Sequence, residues 1–362
     1  MTAFPKAYFN PPRRLPFVLP VPPAGKQLIS LAVNESPYGC SRKALAAAEA
    51  RMRELNRYPD PSSADLRRAI GNQFGLEPER IVCGNGSEEL LDVVGRMFAR
   101  PGDEIIISQS GFFQFAVVAA RLGAELKRAP ERDYITDVDG LLGLVTPRTK
   151  LIFLALPNNP TGTLLPVDEV IRLHENLPSE TVLLLDLAYG EYMEKSHLDR
   201  LMRFGGAQPN IVVTRTFSKA YGLAALRVGW ALAPEWMTCG LNLLRGVGNI
   251  NAIAQAAAAA AVADQVFVDR VVAETAAERS FMVRHFSRLG LHFVPGYGNF
   301  LLTRFPDEEA KSAAKFIDLA MLRHGIWLRS VGEPGFANWS RIGLGDRAEN
   351  EIQIRLLEEF LT

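Results

Sequence analysis

Four short apolar runs set the limits on what this chain can fold into. Ile105–Ser108, Leu151–Ala155, Val182–Leu185 and Ile211–Thr214 are continuous in hydrophobicity rather than alternating. Alternation marks a strand with one wet face, whereas an unbroken run of this length marks a strand covered on both faces. Polar or helical segments separate the runs, leaving room for parallel crossovers. The fold class this predicts is α/β, a large domain with a mostly parallel central sheet flanked by helices.

The residues that follow each run carry the chemistry. Ile105–Ser108 leads into Gln109-Ser110-Gly111-Phe112-Phe113, and Leu151–Ala155 into Pro157-Asn158-Asn159-Pro160-Thr161-Gly162. Val182–Leu185 leads into Asp186-Leu187-Ala188-Tyr189, and Ile211–Thr214 into Thr216-Phe217-Ser218-Lys219. Parallel strands would send all four loops out of one sheet edge, and open α/β sheets bind ligands outside the carboxyl ends of their strands. One place would then hold an aromatic ring, a carboxamide, a carboxylate, a phenol, hydroxyls and an amine.

That set meets the needs of pyridoxal 5′-phosphate (PLP). Its aldehyde needs an amine, which Lys219 supplies. Its pyridine nitrogen must stay protonated, which a buried carboxylate such as Asp186 ensures. Asn159 and Tyr189 suit its phenolate oxygen, and Phe112 suits its ring face. Its phosphate needs N–H groups at a helix start, hydroxyls and an arginine, available at Gly86-Ser87-Glu88, Thr216, Ser218 and Arg227. Taken singly, each element has a plainer reading as a turn, a cap with Ser87 in the capping place, a solvated lysine or a core phenylalanine. Their joint order and spacing favour the cofactor.

The remaining chain frames this centre. The first thirty residues, with Pro11, Pro12, Pro16, Pro20, Pro22 and Pro23, form an arm in which regular helix is prevented. Ser41–Leu55 reads as a helix, with Leu45, Ala48, Met52 and Leu55 at helical spacing, and another opens near Ser87. After an alanine-rich helix at Ala252–Ala263, helix continues to about Leu289. Strands at Phe300–Thr303, Ile326–Arg329 and Ile342–Leu344 and helices at Ala313–His324 and Glu349–Leu361 make a smaller α+β unit. The expected division is an arm over 1–40, a large PLP-binding domain over 41–265 and a small C-terminal domain over 266–362.

Bulk properties narrow the class. A chain of 362 residues suits a large and a small domain. Lys+Arg and Asp+Glu both count 40, which gives no sign of a nucleic-acid or anionic-membrane partner. Three cysteines, Cys40, Cys83 and Cys239, make neither a disulfide framework nor a metal-ligand spacing, and fit a reducing compartment. No metal is expected. With no signal-peptide core and no apolar stretch of spanning length, the expected location is cytoplasmic.

The chain resembles the fold-type I PLP-dependent enzymes of the class I/II aminotransferase group, most closely their histidinol-phosphate aminotransferase branch. The resemblance runs from Asn34-Glu35-Ser36-Pro37-Tyr38-Gly39 to Arg341-Ile342-Gly343-Leu344-Gly345 and is most specific at Arg215–Gly229. It implies that Tyr58 reaches the cofactor phosphate of a neighbouring subunit, hence a homodimer with shared active sites. It also implies that Asn34, Arg329 and Arg341 bind substrate, with Arg341 on an α-carboxylate and Arg329 at the far end, including a phosphate. Phe112 stands where many members have tyrosine. Leu187 replaces the usual glutamate after Asp186, and Phe17-Val18-Leu19-Pro20 replaces a common tyrosine-valine-proline-glycine run. The implied activity is transamination, with Lys219 carrying the proton at Cα, from L-histidinol phosphate to 2-oxoglutarate. An aromatic amino-acid donor, decarboxylation as in threonine-phosphate decarboxylases, and a regulatory protein without turnover are the alternatives.

Overall fold

A computed structural model describes residues 19–332 and 335–362. The readings placed on residues 1–18, including Pro11, Pro12, Pro16, Phe17 and Val18, lie outside the described residues. The central sheet has seven strands: β1 (Ile81–Gly84), β2 (Glu104–Ser108), β3 (Glu125–Ala129), β4 (Thr149–Ala155), β5 (Val182–Asp186), β6 (Ile211–Thr216) and β7 (Gly229–Leu232). Their spatial order is β1-β7-β6-β5-β4-β2-β3. Strands β2 to β6 pair in parallel, and β7 runs antiparallel to both its neighbours. The expected α/β class and mostly parallel sheet are therefore what the chain adopts.

The unbroken hydrophobicity of the four runs has a direct cause. Successive strand residues point to opposite faces. Ile106, Ile152, Leu183, Leu185 and Val213 enter one hydrophobic cluster, while Ile105, Ile107, Leu151, Phe153, Leu184 and Val212 enter a second on the other face. Three strands of this sheet carry no such run. β3 is an edge strand, Glu-Leu-Lys-Arg-Ala, whose partial exposure removes the need for an apolar run. β1 and β7 are only four residues long.

Helix Gln265–Arg288 leaves this layer and enters the smaller unit. Its Val268 and Val271 belong to the large cluster, and Met282 and Phe286 to the small one. The small sheet is antiparallel: β8 (His292–Val294), β9 (Phe300–Arg304), then β11 (Trp339–Gly343) and β10 (Arg329–Ser330) at its edge. The expected single strand Ile326–Arg329 is two pieces, because Ile326–Trp327 pairs instead with Ile29–Ser30 in parallel. Helix Arg347–Leu361 starts two residues before the expected Glu349, since Asp346 and Glu349 form a reciprocal capping box.

Helix Arg42–Arg51 is capped by Ser41, whose Oγ accepts from the Lys43 and Ala44 amides. It ends in a short 3₁₀ turn at Met52–Glu54 rather than running regularly to Leu55. Ala44 is its buried residue and shares a cluster with Ala254, Ala257, Ala258 and Ala261 of helix Ala252–Val262. The larger side chains Leu45, Met52 and Leu55 face outward at 52%, 54% and 70% exposure, so an apolar stripe lies on the surface.

The loop carrying Lys219 rests on a buried ion pair. Arg215, on β6, pairs with Glu191, and their side chains are 2% and 6% exposed. The guanidinium carbon also lies 4.6 Å from the Phe74 ring centroid and 5.6 Å from that of Trp230. Above it, Gly222 at φ +68° meets Gly39 so closely that a Cβ would collide with the Gly39 carbonyl. Glu191→Ala would strand the buried guanidinium. The expected loss is about 3–5 kcal/mol of stability, read as a lowered urea midpoint; an unchanged midpoint would mean the charge has another partner.

Candidate active site

At the carboxyl edge of β4, β5 and β6 the chain encloses a cavity of ≈ 720 Å³. Its position follows from register: Ala155 pairs with Asp186, and Asp186 with Thr214, so neighbouring strands end level. Asp186 closes β5 at 3% exposure. Its Oδ1 accepts from Thr214 Oγ1 at 3.0 Å. Burial raises the carboxyl pKa to about 6, against the pull of Thr214, the Ala188 amide and Lys219.

Lys219 projects into the same cavity, and its Nζ donates to the Val33 carbonyl at 2.8 Å. Removal from water lowers its pKa to about 7, with Arg341 adding to the shift and Glu35 opposing it. An amine so poised is present in both protonation states near neutrality, which makes it both a nucleophile and a proton carrier.

One end of the cavity is an anion cradle. Gly86, at φ +80°, precedes helix Ser87–Phe98 as its N-cap with no side chain on the first-turn amides. Gly86, rather than the expected Ser87, holds the capping place, since only a residue tolerant of that φ fits. A Cβ at Gly86 would run into the Arg227 guanidinium, so the bare backbone is what lets the two approach. Arg227 Nη1 donates to Ser218 Oγ at 3.2 Å, and Thr216 Oγ1 to Ser218 Oγ at 3.0 Å. Amides at a helix start, two hydroxyls and a guanidinium are the donor set a phosphate monoester needs.

The small unit supplies the opposite wall. Arg341, 2% exposed, donates to Asn159 Oδ1 at 2.7 Å and to the Ala32 carbonyl. Arg329 stands directly across from it in register on β10, its guanidinium carbon 4.8 Å from the Phe113 ring centroid. Asn34, at φ +57°, donates its amide to the Tyr189 hydroxyl at 2.7 Å. Burial raises the Tyr189 pKa, which keeps that phenol neutral.

Ser87, Glu88, Phe112, Asn159, Asp186, Tyr189, Thr216, Ser218, Lys219, Arg227, Arg329 and Arg341 all line this cavity. Gly86 stands behind it through Arg227, and Asn34 through Tyr189. Tyr58 does not approach it and is 97% exposed. Sequence reading passed over Glu35, Phe113, Gln114 and Arg121 on the cavity wall. Glu35 and Phe113 stand next to Asn34 and Phe112 in the chain, whereas the Thr214–Asp186 contact depends on strand register. A buried lone carboxylate, a near-neutral lysine amine and an anion cradle fit the cation, carbonyl and phosphate of PLP.

The lysine makes a pH prediction for the protein freed of small molecules. Its folded pKa, about 7, lies below the ordinary 10.5 of an unfolded chain. Below about 7 both states are charged and the folded state bears the full penalty. The penalty fades as pH rises from 7 towards 10.5. Lys219→Met should therefore raise the Tm more at about pH 6 than at about pH 10; an equal gain at both would refute the depressed amine.

Comparison with known proteins bears on the same chemistry. The family model described as Aminotransferase class I and II matches residues 26–357. A histidinol-phosphate aminotransferase of Rhodopseudomonas palustris (strain HaA2) is 42% identical over 94% of this chain and 93% of its own length. One from Paramagnetospirillum magneticum is 41% identical over 92% of each. Among solved structures, histidinol-phosphate aminotransferase from Sinorhizobium meliloti in complex with pyridoxal-5′-phosphate superposes with a TM-score of 0.87 at 31% identity, over 92% of this chain and 90% of that one. The chain belongs to the class I and II aminotransferases and is a PLP-dependent enzyme.

Proposed function

We propose that the chain transfers the amino group of L-histidinol phosphate to 2-oxoglutarate. The observation that carries this reading is the pair Arg329 and Arg341, in register on neighbouring strands and facing the Lys219–Asp186 floor across one cavity. A guanidinium binds a phosphate monoester and a carboxylate with the same bidentate geometry. One site thus serves a phosphate-bearing donor and then a dicarboxylate acceptor. The names of the relatives that are 38–42% identical over 94% of the chain support the same choice.

In this reading residues 41–265 hold the cofactor and 266–362 contribute the substrate arginines. When bound, PLP supplies the carbonyl that takes up the amino group and a ring that accepts electron density. Gly86, Ser87, Glu88, Thr216, Ser218 and Arg227 anchor its phosphate end, and Phe112 covers its ring. Asp186 holds a proton on the ring nitrogen by opposing it with a buried negative charge. Asn159 and Tyr189 donate toward the ring oxygen; Asn34 and Arg341 orient those two groups through the contacts described. Lys219, its amine near neutrality, moves the proton at the substrate Cα. Arg341 orients the α-carboxylate of the acceptor, and Arg329 the distal anion.

Phe112 and Phe113 on the same wall favour, as a second reading, an aromatic amino acid as donor. A panel following keto products from histidinol phosphate, phenylalanine and tyrosine separates the two. Arg329→Ala should lower kcat/KM for histidinol phosphate and 2-oxoglutarate together by roughly 10–100-fold, the value of one lost charge-assisted bond. An uncharged aromatic donor should suffer less. Release of CO₂ from a phosphorylated amino acid, with no keto product, would replace transamination by decarboxylation.

The working unit in this proposal is a cytoplasmic homodimer. Among the described residues no helix is long and apolar enough to cross a membrane. The outward stripe Leu45, Met52 and Leu55 leads to Tyr58, an apolar surface suited to a second copy whose cofactor phosphate Tyr58 would reach. Mixing Lys219→Ala chains with Tyr58→Phe chains should restore activity above either alone, because hybrid dimers carry one intact site. A fully active monomer in sedimentation would overturn this.

A further inference from the structure

We propose that Thr214 is a positioning residue for the cofactor's ring nitrogen, acting through Asp186. The inference rests on the PLP reading of the cavity and goes beyond it. Thr214 sits in register with Asp186 on the adjacent parallel strand, and the Leu187 amide donates to the Thr214 carbonyl at 2.9 Å. The two backbones are thereby locked at the point where both side chains share one face of the sheet. Thr214 is fully buried, and its Oγ1 donates to Asp186 Oδ1 at 3.0 Å.

This hydroxyl does two things that the carboxylate cannot do for itself. It stabilises the ionised form where burial disfavours it, since a donor to a buried anion counts for more than one in water. It also fixes the rotation of the carboxyl group by engaging one oxygen from the side. Asp186 is then presented to the cavity in one orientation and as an anion, ready for a cationic ring nitrogen. Lys219 reaches the same cavity from the end of β6, five residues beyond Thr214. One strand and the loop it leads into thus supply the support for the carboxylate and the amine.

Thr214→Val keeps the branched shape and suits a strand, but removes the donor. Thr214→Ser keeps the donor and removes a methyl group. The readout is the dissociation constant of the cofactor-free protein for PLP and for the analogue in which a carbon replaces the ring nitrogen. Wild type should bind PLP more tightly than the analogue. Thr214→Val should lose PLP affinity by roughly 10-fold or more with little change for the analogue, so the ratio collapses. Thr214→Ser should keep the ratio, even at lower thermal stability. If Thr214→Val does not accumulate folded, Thr214→Ala against Thr214→Ser makes the same comparison.

A parallel loss of both ligands in Thr214→Val, with the ratio intact, would mean a packing role only and would overturn the inference. So would a ratio that collapses equally in Thr214→Ser. A wild type indifferent to the ring nitrogen would instead defeat the assignment of Asp186 itself, which keeps the two failures distinct.

Discussion

The cost of burying an ionised carboxylate organises this molecule. Asp186 lies at the end of a central strand, almost wholly removed from water, where its charge is disfavoured. Everything around it offsets that cost in part: the Thr214 hydroxyl on one side, the Ala188 amide beneath it and Lys219 across the cavity. The offset is incomplete, and the carboxyl pKa stays raised, to about 6. An incompletely satisfied buried anion has its strongest affinity for a cation delivered into the cavity. This is the physical basis for reading the site as a receptor for a protonated ring nitrogen.

The same desolvation acts with opposite sign on Lys219. Burial that raises a carboxyl lowers an amine, and the two groups converge on neutrality from opposite sides, at about 6 and about 7. Such perturbed groups in one cavity mark a functional site, with Asp186 suited to a ring cation and Lys219 to moving a proton. Arg341 contributes from the small unit by disfavouring a second positive charge at Lys219. The site's acid–base behaviour therefore depends on how the small unit is set against the large one, and not on the sheet alone.

The segment from Ile29 to Glu35 joins the two. It adds a strand beside Ile326–Trp327, accepts from Arg341 at the Ala32 carbonyl and from Lys219 at the Val33 carbonyl, and places Asn34 on Tyr189. Three consecutive residues, Ala32 to Asn34, thus touch three groups of the site, and Asn34 takes a left-handed conformation to do so. The Arg215–Glu191 pair before Lys219 in the chain and the close contact of Gly222 with Gly39 after it anchor the lysine loop on both sides.

Sequence by itself determined the central sheet and the chemistry at its edge. Unbroken apolar runs reflect two buried faces, and the residues after each run have few places to go once the strands are parallel. Lys219, Asp186, Phe112, Asn159 and the phosphate loop were legible for that reason, and the resemblance carried Arg329, Arg341 and Asn34. Strands without such runs were not legible: the half-exposed edge strand Glu125–Ala129 and the four-residue Ile81–Gly84 and Gly229–Leu232 carry too little pattern. Sequence also showed a helical apolar stripe at Leu45, Met52 and Leu55 without showing that it faces outward, since periodicity gives a face but not what covers it. Only the tertiary structure decided which residues meet from different strands. Thr214 beside Asp186, Arg341 on Asn159 and Phe113 beneath Arg329 depend on register and on the seating of one unit against the other. Those are properties of distances between strands far apart in the chain, and local sequence does not encode them.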